Sequence, residues 1–313
     1  MNKIKIKMNK FTELTLKDGC NKYIENCKHR NLREHTIKHY QQSYLKLFTF
    51  FDEDMLLNDF TKDSYNEYLI FLKDTLTNDI SINAYLRDLI TTIHFLQKEG
   101  YVEQFKMQSI KTDKHTIETY TDRELSLLLK KPNIKKCSFV EYQCWVICNF
   151  LLSTGVRQRS LMNIKVKDID FDNNLVSLSH TKNRKTLLIP LNSSMILILH
   201  EFLKYRKPKN NEDYLFCNTF GQQLTKSTSY HMLYFYNKNR GVEKTGVHRW
   251  RHTFAKQWIL SGGNVVTLSR LLGHSSLDIT QNYLNLLISD LAKEVDEIDL
   301  LGKYSERKSI KLK

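Results

Sequence analysis

Apolar residues recur every three or four positions through the first hundred residues, which is the spacing of one face of an α-helix. Four such stripes follow one another, at residues 20–27, 37–51, 65–72 and 82–96. Ser81 stands where the N-cap of the fourth helix is expected, and Gly100 stands where that helix should end. The pattern predicts a bundle of four amphipathic helices joined by short loops.

The helical period is lost between residues 103 and 118, where the chain is polar and has the character of an interdomain linker. Just after it, Thr121 and Glu124 form the Thr-x-x-Glu pattern of a capping box, which predicts the start of a helix. Residues 139–152 are apolar on nearly every side and predict a buried helix. We therefore expect one domain at 14–102, a linker at 103–118 and a second domain at 119–313.

Between residues 164 and 190 the pattern changes to the two-residue period of β-strands. The runs NLVSLSH and TLLIPL predict the two strands of a hairpin, with the basic turn TKNRK at its tip. Helical patterns return at residues 193–205, 227–236, 248–260 and 265–272. The predicted fold class is mainly α with a small β-sheet, an N-terminal helical bundle followed by a mixed α+β domain.

Charge changes this picture by indicating a partner. The 313 residues carry 48 Lys and Arg against 34 Asp and Glu, for a formal net charge of +14. An excess of this size favours a polyanionic partner such as DNA, although a merely basic protein is the alternative.

Other features narrow the class of protein. No apolar run approaches the roughly 20 residues that span a bilayer, and the N-terminus has no signal-peptide pattern, so we expect no membrane association. The six cysteines form no Cys-x-x-Cys pair and are expected to be buried free thiols in a reducing cytoplasm.

Five segments of the second half carry unusual chemistry: TGVRQRSL, TKNRK, HRWRH, LLGHSS and ITQNYL. Each has an ordinary structural explanation when taken alone. The first is a helix C-cap with a nearby arginine, a lysine on a hairpin tip is usually solvated, and a lone tyrosine is usually part of a core.

Taken together, in this order and at this spacing, the segments resemble the tyrosine recombinase family, the phage integrases and related site-specific recombinases. The resemblance runs from about residue 14 to the end of the chain, and its specific half is the series Arg, Lys, His-x-x-Arg, Gly-His and Tyr. It implies a SAM-like core-binding domain before the linker and a catalytic domain after it. The implied catalytic residues are Arg157, Lys182, His248, Arg251, His274 and Tyr283.

The resemblance implies cleavage of a DNA strand through a 3′-phosphotyrosine bond, with Tyr283 as the nucleophile. Guanidinium groups stay charged and offer paired donors, so Arg157 and Arg251 suit the clamping of a phosphate. His248 is the candidate base, because its ordinary pKa near ~6.5 suits proton transfer at neutral pH.

The remaining implied roles complete the chemistry without a cofactor. Lys182 would protonate the leaving 5′ oxygen, and His274 would donate a hydrogen bond to the phosphate. Because the covalent link preserves the energy of the broken bond, rejoining needs no nucleotide triphosphate. We expect no cofactor and no metal, since neither a phosphate-binding glycine loop nor a carboxylate cluster stands near these motifs.

The HRWRH segment leaves one alternative to weigh, a zinc site at His248 and His252, which are spaced i, i+4. Arg249 and Arg251 would repel the ion, and no Glu follows the first histidine, so we favour a structural role for His252. In the same helix Trp250, Phe254 and Trp258 are spaced to pack into the core.

Two positions depart from the family pattern. Ser160 stands where the family usually has an acidic residue, which leaves the support of the cationic site open. Trp250 stands where leucine is common. Neither change removes a reacting group.

Residues 284–301 combine an apolar helical stripe with acidic side chains. Packing within the chain is one interpretation; the family precedent is docking on a neighbouring protomer. We expect a homotetramer on double-stranded DNA, a monomer when free, and accessory DNA-bending or directionality proteins. Residues 1–13 are too few to form a separate arm-binding domain.

We interpret the chain as a bacterial, cytoplasmic recombinase, associated with the nucleoid when on DNA, that integrates or excises a mobile element. The alternatives from other classes are a DNA-binding protein on the same fold that no longer cuts, and a monomeric relaxing topoisomerase. The intact catalytic series argues against the first, and the acidic C-terminal segment argues against the second.

Overall fold

The structure is a computed structural model that describes residues 14–112, 118–179 and 186–274. The chain forms two compact units, residues 1–114 and residues 115–313, and each is described by itself below. None of the described helices combines the length and the apolar character needed to cross a bilayer.

The N-terminal unit is the predicted bundle of four helices. They are α1 (Leu16–His29), α2 (Glu34–Leu47), α3 (Lys62–Thr75) and α4 (Asp79–Glu99). Helices α1, α2 and α3 all contact α4. The predicted stripes form one core, in which Cys27, Leu72 and Leu86 are fully buried. The stripe of the second helix extends past its end, because Phe51 follows the helix yet packs on Phe60 at 5.6 Å between ring centroids.

Helix ends in this unit follow from local chemistry. Thr15 caps α1 by accepting a hydrogen bond from the Asp18 amide, an arrangement that contributes about 1 kcal/mol. The prediction of Ser81 as the N-cap of α4 is wrong. The cap is Asn78, whose side chain accepts from the Ile80 amide and so begins the helix earlier. Gly100 ends α4 in the left-handed conformation, as predicted.

Residues 103–112 have no regular secondary structure and lie along the N-terminal unit. The Gln97 side chain donates to the carbonyl oxygens of Glu103 and Phe105 at 2.8 and 3.3 Å. The Asn83 amide group donates to the Ile110 carbonyl at 2.9 Å. A segment without helical periodicity is therefore held by side chains that satisfy its backbone.

The described part of the second unit contains seven α-helices. They are α5 (Asp122–Leu128), α6 (Phe139–Thr154), α7 (Gln158–Asn163), α8 (Ser193–Arg206), α9 (Lys226–Asn239), α10 (Val247–Leu260) and α11 (Val265–Leu272). The capping box of Thr121 and Glu124 starts α5, as predicted. The short helix α7 was not predicted, because six residues make too few turns to show a period.

The small sheet has three antiparallel strands in the order β1 (Ile169–Asp170), β2 (Leu175–Leu178) and β3 (Leu187–Pro190). Strands β2 and β3 are the predicted hairpin, with Val176 opposite Ile189. Its basic tip, including Lys182, lies outside the described residues.

Helix α6 forms the centre of the second core and contacts α8, α9 and α10. Its Cys144, Cys148, Phe150 and Leu151 are fully buried, which confirms the prediction of a helix apolar on nearly every side. All six cysteines are free thiols, and burial raises the pKa of the Cys144 thiol to about 12. Trp250 of α10 joins this core without exposed surface.

Gly155 ends α6 at a crowded position. Its φ of +59° is left-handed, and a Cβ there would overlap the Phe254 ring and lie 2.9 Å from Leu272. Gly241 has a similar φ of +73° with open space around it. Comparing substitutions at these two glycines therefore separates the cost of backbone strain from the cost of overpacking.

We predict that Gly155→Ala lowers the free energy of unfolding by about 1–3 kcal/mol more than Gly241→Ala does, because overpacking adds to a backbone cost that both variants share. Urea unfolding followed by circular dichroism measures both values. Equal losses would show that the contact with Phe254 relaxes at no cost.

Candidate functional site

Four of the six predicted site residues lie in the described part of the chain. Arg157 is the N-cap residue of α7, and His248 and Arg251 lie one turn apart on α10. His274 follows Gly273, the residue that ends α11. Lys182 and Tyr283 lie outside the described residues.

Arg251 is the buried centre of the site, with 5% of its surface exposed. Its Nη1 donates to the Gly155 carbonyl at 2.8 Å, and its Nη2 donates to the Leu272 carbonyl at 2.7 Å. Nη2 also lies 2.8 Å from Nε2 of His274. The guanidinium group therefore joins the ends of α6 and α11 to the helix that carries His248.

Arg157 reaches the same place from α7. Its Nη1 donates to the Leu272 carbonyl at 3.2 Å, and its Nη2 donates to the Gly273 carbonyl at 3.5 Å. The last carbonyls of a helix carry the negative end of its dipole, which favours cations by about 0.3–1 kcal/mol at exposed positions. The end of α11 thus holds two arginine side chains close together.

The contact with Arg251 fixes the protonation state of His274. A guanidinium group only donates, so Nε2 must accept, and a neutral ring then carries its proton on Nδ1. Desolvation, Arg251, Arg157 and His252 lower the pKa of His274 to about 4. His274 is therefore neutral at pH 7 and serves as the acceptor that orients Arg251.

His248 lies on the same side of α10 as Arg251, and the residue as a whole is exposed. The protein around its ring nevertheless lowers its pKa by desolvation, and the charges of Arg251, Arg157 and Lys226 lower it further. The ring is neutral at pH 7 and can accept a proton. The sequence did not indicate Lys226, the first residue of α9, as a charge near His248, although Thr225 before it is a recognisable N-cap.

The predicted aromatic stripe holds α10 in the unit. Trp250 is fully buried, and Phe254 packs with Leu268 and Leu272 of α11. Trp258 is partly buried and donates from its ring nitrogen to the Asn264 carbonyl at 3.1 Å. This packing holds α10 where Arg251 reaches the end of α11.

Ser160 occupies the position where the family pattern has an acid. It lies one turn after Arg157 on α7 and is buried, with 8% of its surface exposed. Asn163 and Ser177 line the same narrow cleft. Asp168 lines this cleft as well, and the serine hydroxyl adds no charge of its own.

Comparison with known proteins agrees with this architecture. The sequence model of the phage integrase family matches residues 118–289, more than half of the chain. The tyrosine recombinase XerC of Staphylococcus aureus is 27% identical over 271 residues, covering 84% of this chain and 90% of that protein.

Two solved structures share the fold. The Tn1549 transposon integrase in complex with transposon right end DNA has a TM-score of 0.72 at 20% identity, covering 86% of this chain and 94% of that chain. A lambda integrase dimer bound to a COC′ core site has a TM-score of 0.68 at 18% identity, covering 86% and 95%. The chain belongs to the phage integrase family and is a site-specific recombinase of the tyrosine type.

The lowered pKa of His274 predicts a dependence of stability on pH. In the unfolded chain His274 binds a proton below its ordinary pKa of 6.5, whereas in the folded chain it binds one only near pH 4. The free energy of unfolding therefore falls as pH falls through this window. His274→Gln keeps an acceptor for Arg251 but cannot titrate. We expect its Tm to fall less between pH 7 and pH 4.5 than that of the wild type, as measured by calorimetry. An equal fall in Tm for the variant and the wild type would contradict the lowered pKa of His274.

Proposed function

We propose that the protein cuts and rejoins double-stranded DNA through a covalent bond between Tyr283 and a 3′ phosphate, without a metal ion or ATP. The observation that carries the proposal is the meeting of Arg157, Arg251 and His274 at the end of α11, beside the exposed His248. Two guanidinium groups and a neutral imidazole base are what a phosphodiester transfer needs.

In the proposed reaction the phenolic oxygen of Tyr283 attacks the phosphorus, and the bond from phosphorus to the 5′ oxygen breaks. His248 takes the phenolic proton, for which its lowered pKa keeps the ring neutral. Lys182 gives a proton to the leaving 5′ oxygen. Attack by the 5′ hydroxyl of a second strand reverses these steps and releases Tyr283.

The arginines stabilise charge on the non-bridging oxygens of the phosphate. Removing one such donor typically lowers the rate by about 10²–10³. Arg251 is buried and held by Gly155, Leu272 and His274, so it meets the phosphate without a large loss of conformational freedom. His274 orients Arg251 through Nε2, and the proton on its Nδ1 would be the one donated in a hydrogen bond to the phosphate.

We predict that the wild type forms a protein–DNA adduct and that Tyr283→Phe forms none, because phenylalanine lacks the attacking oxygen. Nicked duplexes from the DNA that flanks the gene trap the cut strand, and a denaturing gel shows a slow, protease-sensitive band. Tyr205→Phe, which changes an exposed tyrosine of α8, is the matched control and should retain the band. Specific binding by the wild type without a band would favour a protein that binds and does not cut.

The proposed biological role is the integration and excision of a mobile element. The structural likeness to the Tn1549 transposon integrase supports it. We further propose a homotetramer on DNA and a monomer when free, because exchange between two duplexes needs four active sites. The acidic, apolar stripe of residues 284–301 is the candidate contact between protomers, and accessory DNA-bending or directionality proteins would act with it.

The free cysteines and the bacterial relatives support a cytoplasmic location, with the protein on the nucleoid when bound to DNA.

A mobile-element role predicts an excised circle. Amplification outwards from both ends of the element should give a circular junction in cells that express the wild type, and none with Tyr283→Phe. If the junction appears equally with both proteins, excision does not depend on this protein. Resolution of plasmid or chromosome multimers would instead change multimer number without producing the circle.

A further inference from the structure

Residues 118–124, which we name the strap, run along the face of α10 that points away from the site. At about 100° per residue, Arg249, Trp250 and Thr253 lie opposite His248 and Arg251 on the helix. On this rear face the strap contacts Arg249, Trp250, Thr253 and Gln257. We infer that it positions α10 for catalysis, and that Tyr120 and Thr253 are its central positioning pair; the inference rests on the proposed function.

The central contact is a hydrogen bond from a backbone amide to a side-chain hydroxyl. The Tyr120 amide donates to Oγ1 of Thr253 at 3.0 Å, and Oγ1 in turn donates to the Arg249 carbonyl at 2.9 Å. Thr253 has no exposed surface. One hydroxyl therefore ties the strap to the turn of α10 that follows His248.

The Tyr120 side chain makes a second set of contacts. Its ring centroid lies 4.6 Å from that of Trp250, and its hydroxyl accepts from the Asn237 amide at 3.0 Å. The hydroxyl also donates to the Lys244 carbonyl at 3.4 Å. Tyr120 thus fixes α10 against the end of α9 and the loop that joins the two helices.

Charged and polar groups of the strap make further contacts on both sides of Tyr120. Arg249 donates to the Glu118 carbonyl, and Lys244 lies 3.4 Å from both Glu118 and Glu124. Further along the helix, the Gln257 amide donates to Asp122 at 3.1 Å. These contacts fix the rotation of α10 as well as its distance from the strap.

The front of α10 is fixed by contacts of a different kind, those of Arg251 with Gly155, Leu272 and His274. A helix held only at its front can rotate about that attachment and move His248 relative to the phosphate. A displacement of about 1 Å is enough to slow a positioned reaction by up to 10²-fold. A role in positioning therefore predicts a loss of rate, whereas a role in folding alone predicts a loss of active protein.

The test is single-turnover cleavage of the nicked duplex by the full chain, in which the amplitude counts active molecules and the rate constant reports the chemistry of each. Thr253→Val removes the hydroxyl and keeps the shape, and we expect its rate constant to fall about tenfold with unchanged amplitude and DNA affinity. Thr253→Ser should restore the wild-type rate constant. Tyr120→Phe keeps the ring on Trp250, and we expect a smaller fall in its rate constant. This variant tests the inference if Thr253→Val does not fold.

Tyr236→Phe is the matched control. It removes a buried hydrogen bond of Tyr236 to the Leu128 carbonyl, outside the strap, and should lower Tm without lowering the rate constant. Wild-type rate constants in Thr253→Val and Tyr120→Phe, or an equal slowing by Tyr236→Phe, would overturn the inference. A wild type that binds the duplex and forms no adduct would instead overturn the proposed function, and the inference with it.

Discussion

The site depends on the carbonyl oxygen of Leu272, which accepts hydrogen bonds from both Arg157 and Arg251. Two donors on one acceptor lie within about 6 Å of each other, where two unit charges repel by roughly 3 kcal/mol at an effective dielectric constant of 20. The negative end of the α11 dipole offsets part of this repulsion. The protein thereby concentrates positive charge before any phosphate arrives.

Backbone carbonyls suit this task better than a paired carboxylate would. A carbonyl dipole orients a guanidinium group and leaves its net charge available to a phosphate, whereas an ion pair would cancel it. Ser160, at the position where the family pattern has an acid, fits a site organised in this way. Desolvation lowers the pKa of His248 and of His274, and the same positive charge lowers both further, because a proton on either ring would add to the repulsion.

The sequence predicted the elements better than the contacts between them. Periodicity identified the amphipathic helices between Cys20 and Leu272 because each buries one face, but it missed the short α7. The cap of α4 was misplaced at Ser81, since Asn78 and Ser81 are both good caps. The ordered series of site residues, which includes Arg157 and Arg251, carried the resemblance to the family. No pattern could show that both donate to Leu272, because a backbone carbonyl carries no side-chain signal. The contact of Thr253 with Tyr120 was equally impossible to predict, because the sequence pattern does not distinguish this threonine from any other buried one.

Packing and catalysis are therefore coupled through helix ends. Gly155 and Gly273 end α6 and α11 in left-handed conformations, and these ends present the carbonyls that orient the arginines. Phe254 and Leu272 fill the space around Gly155, so the positions of these acceptors follow from the packing of apolar side chains. A substitution in that core moves the arginines even though it changes no charged residue. In the proposed function, the stability of the α6–α10–α11 contact therefore becomes a condition for binding a phosphate.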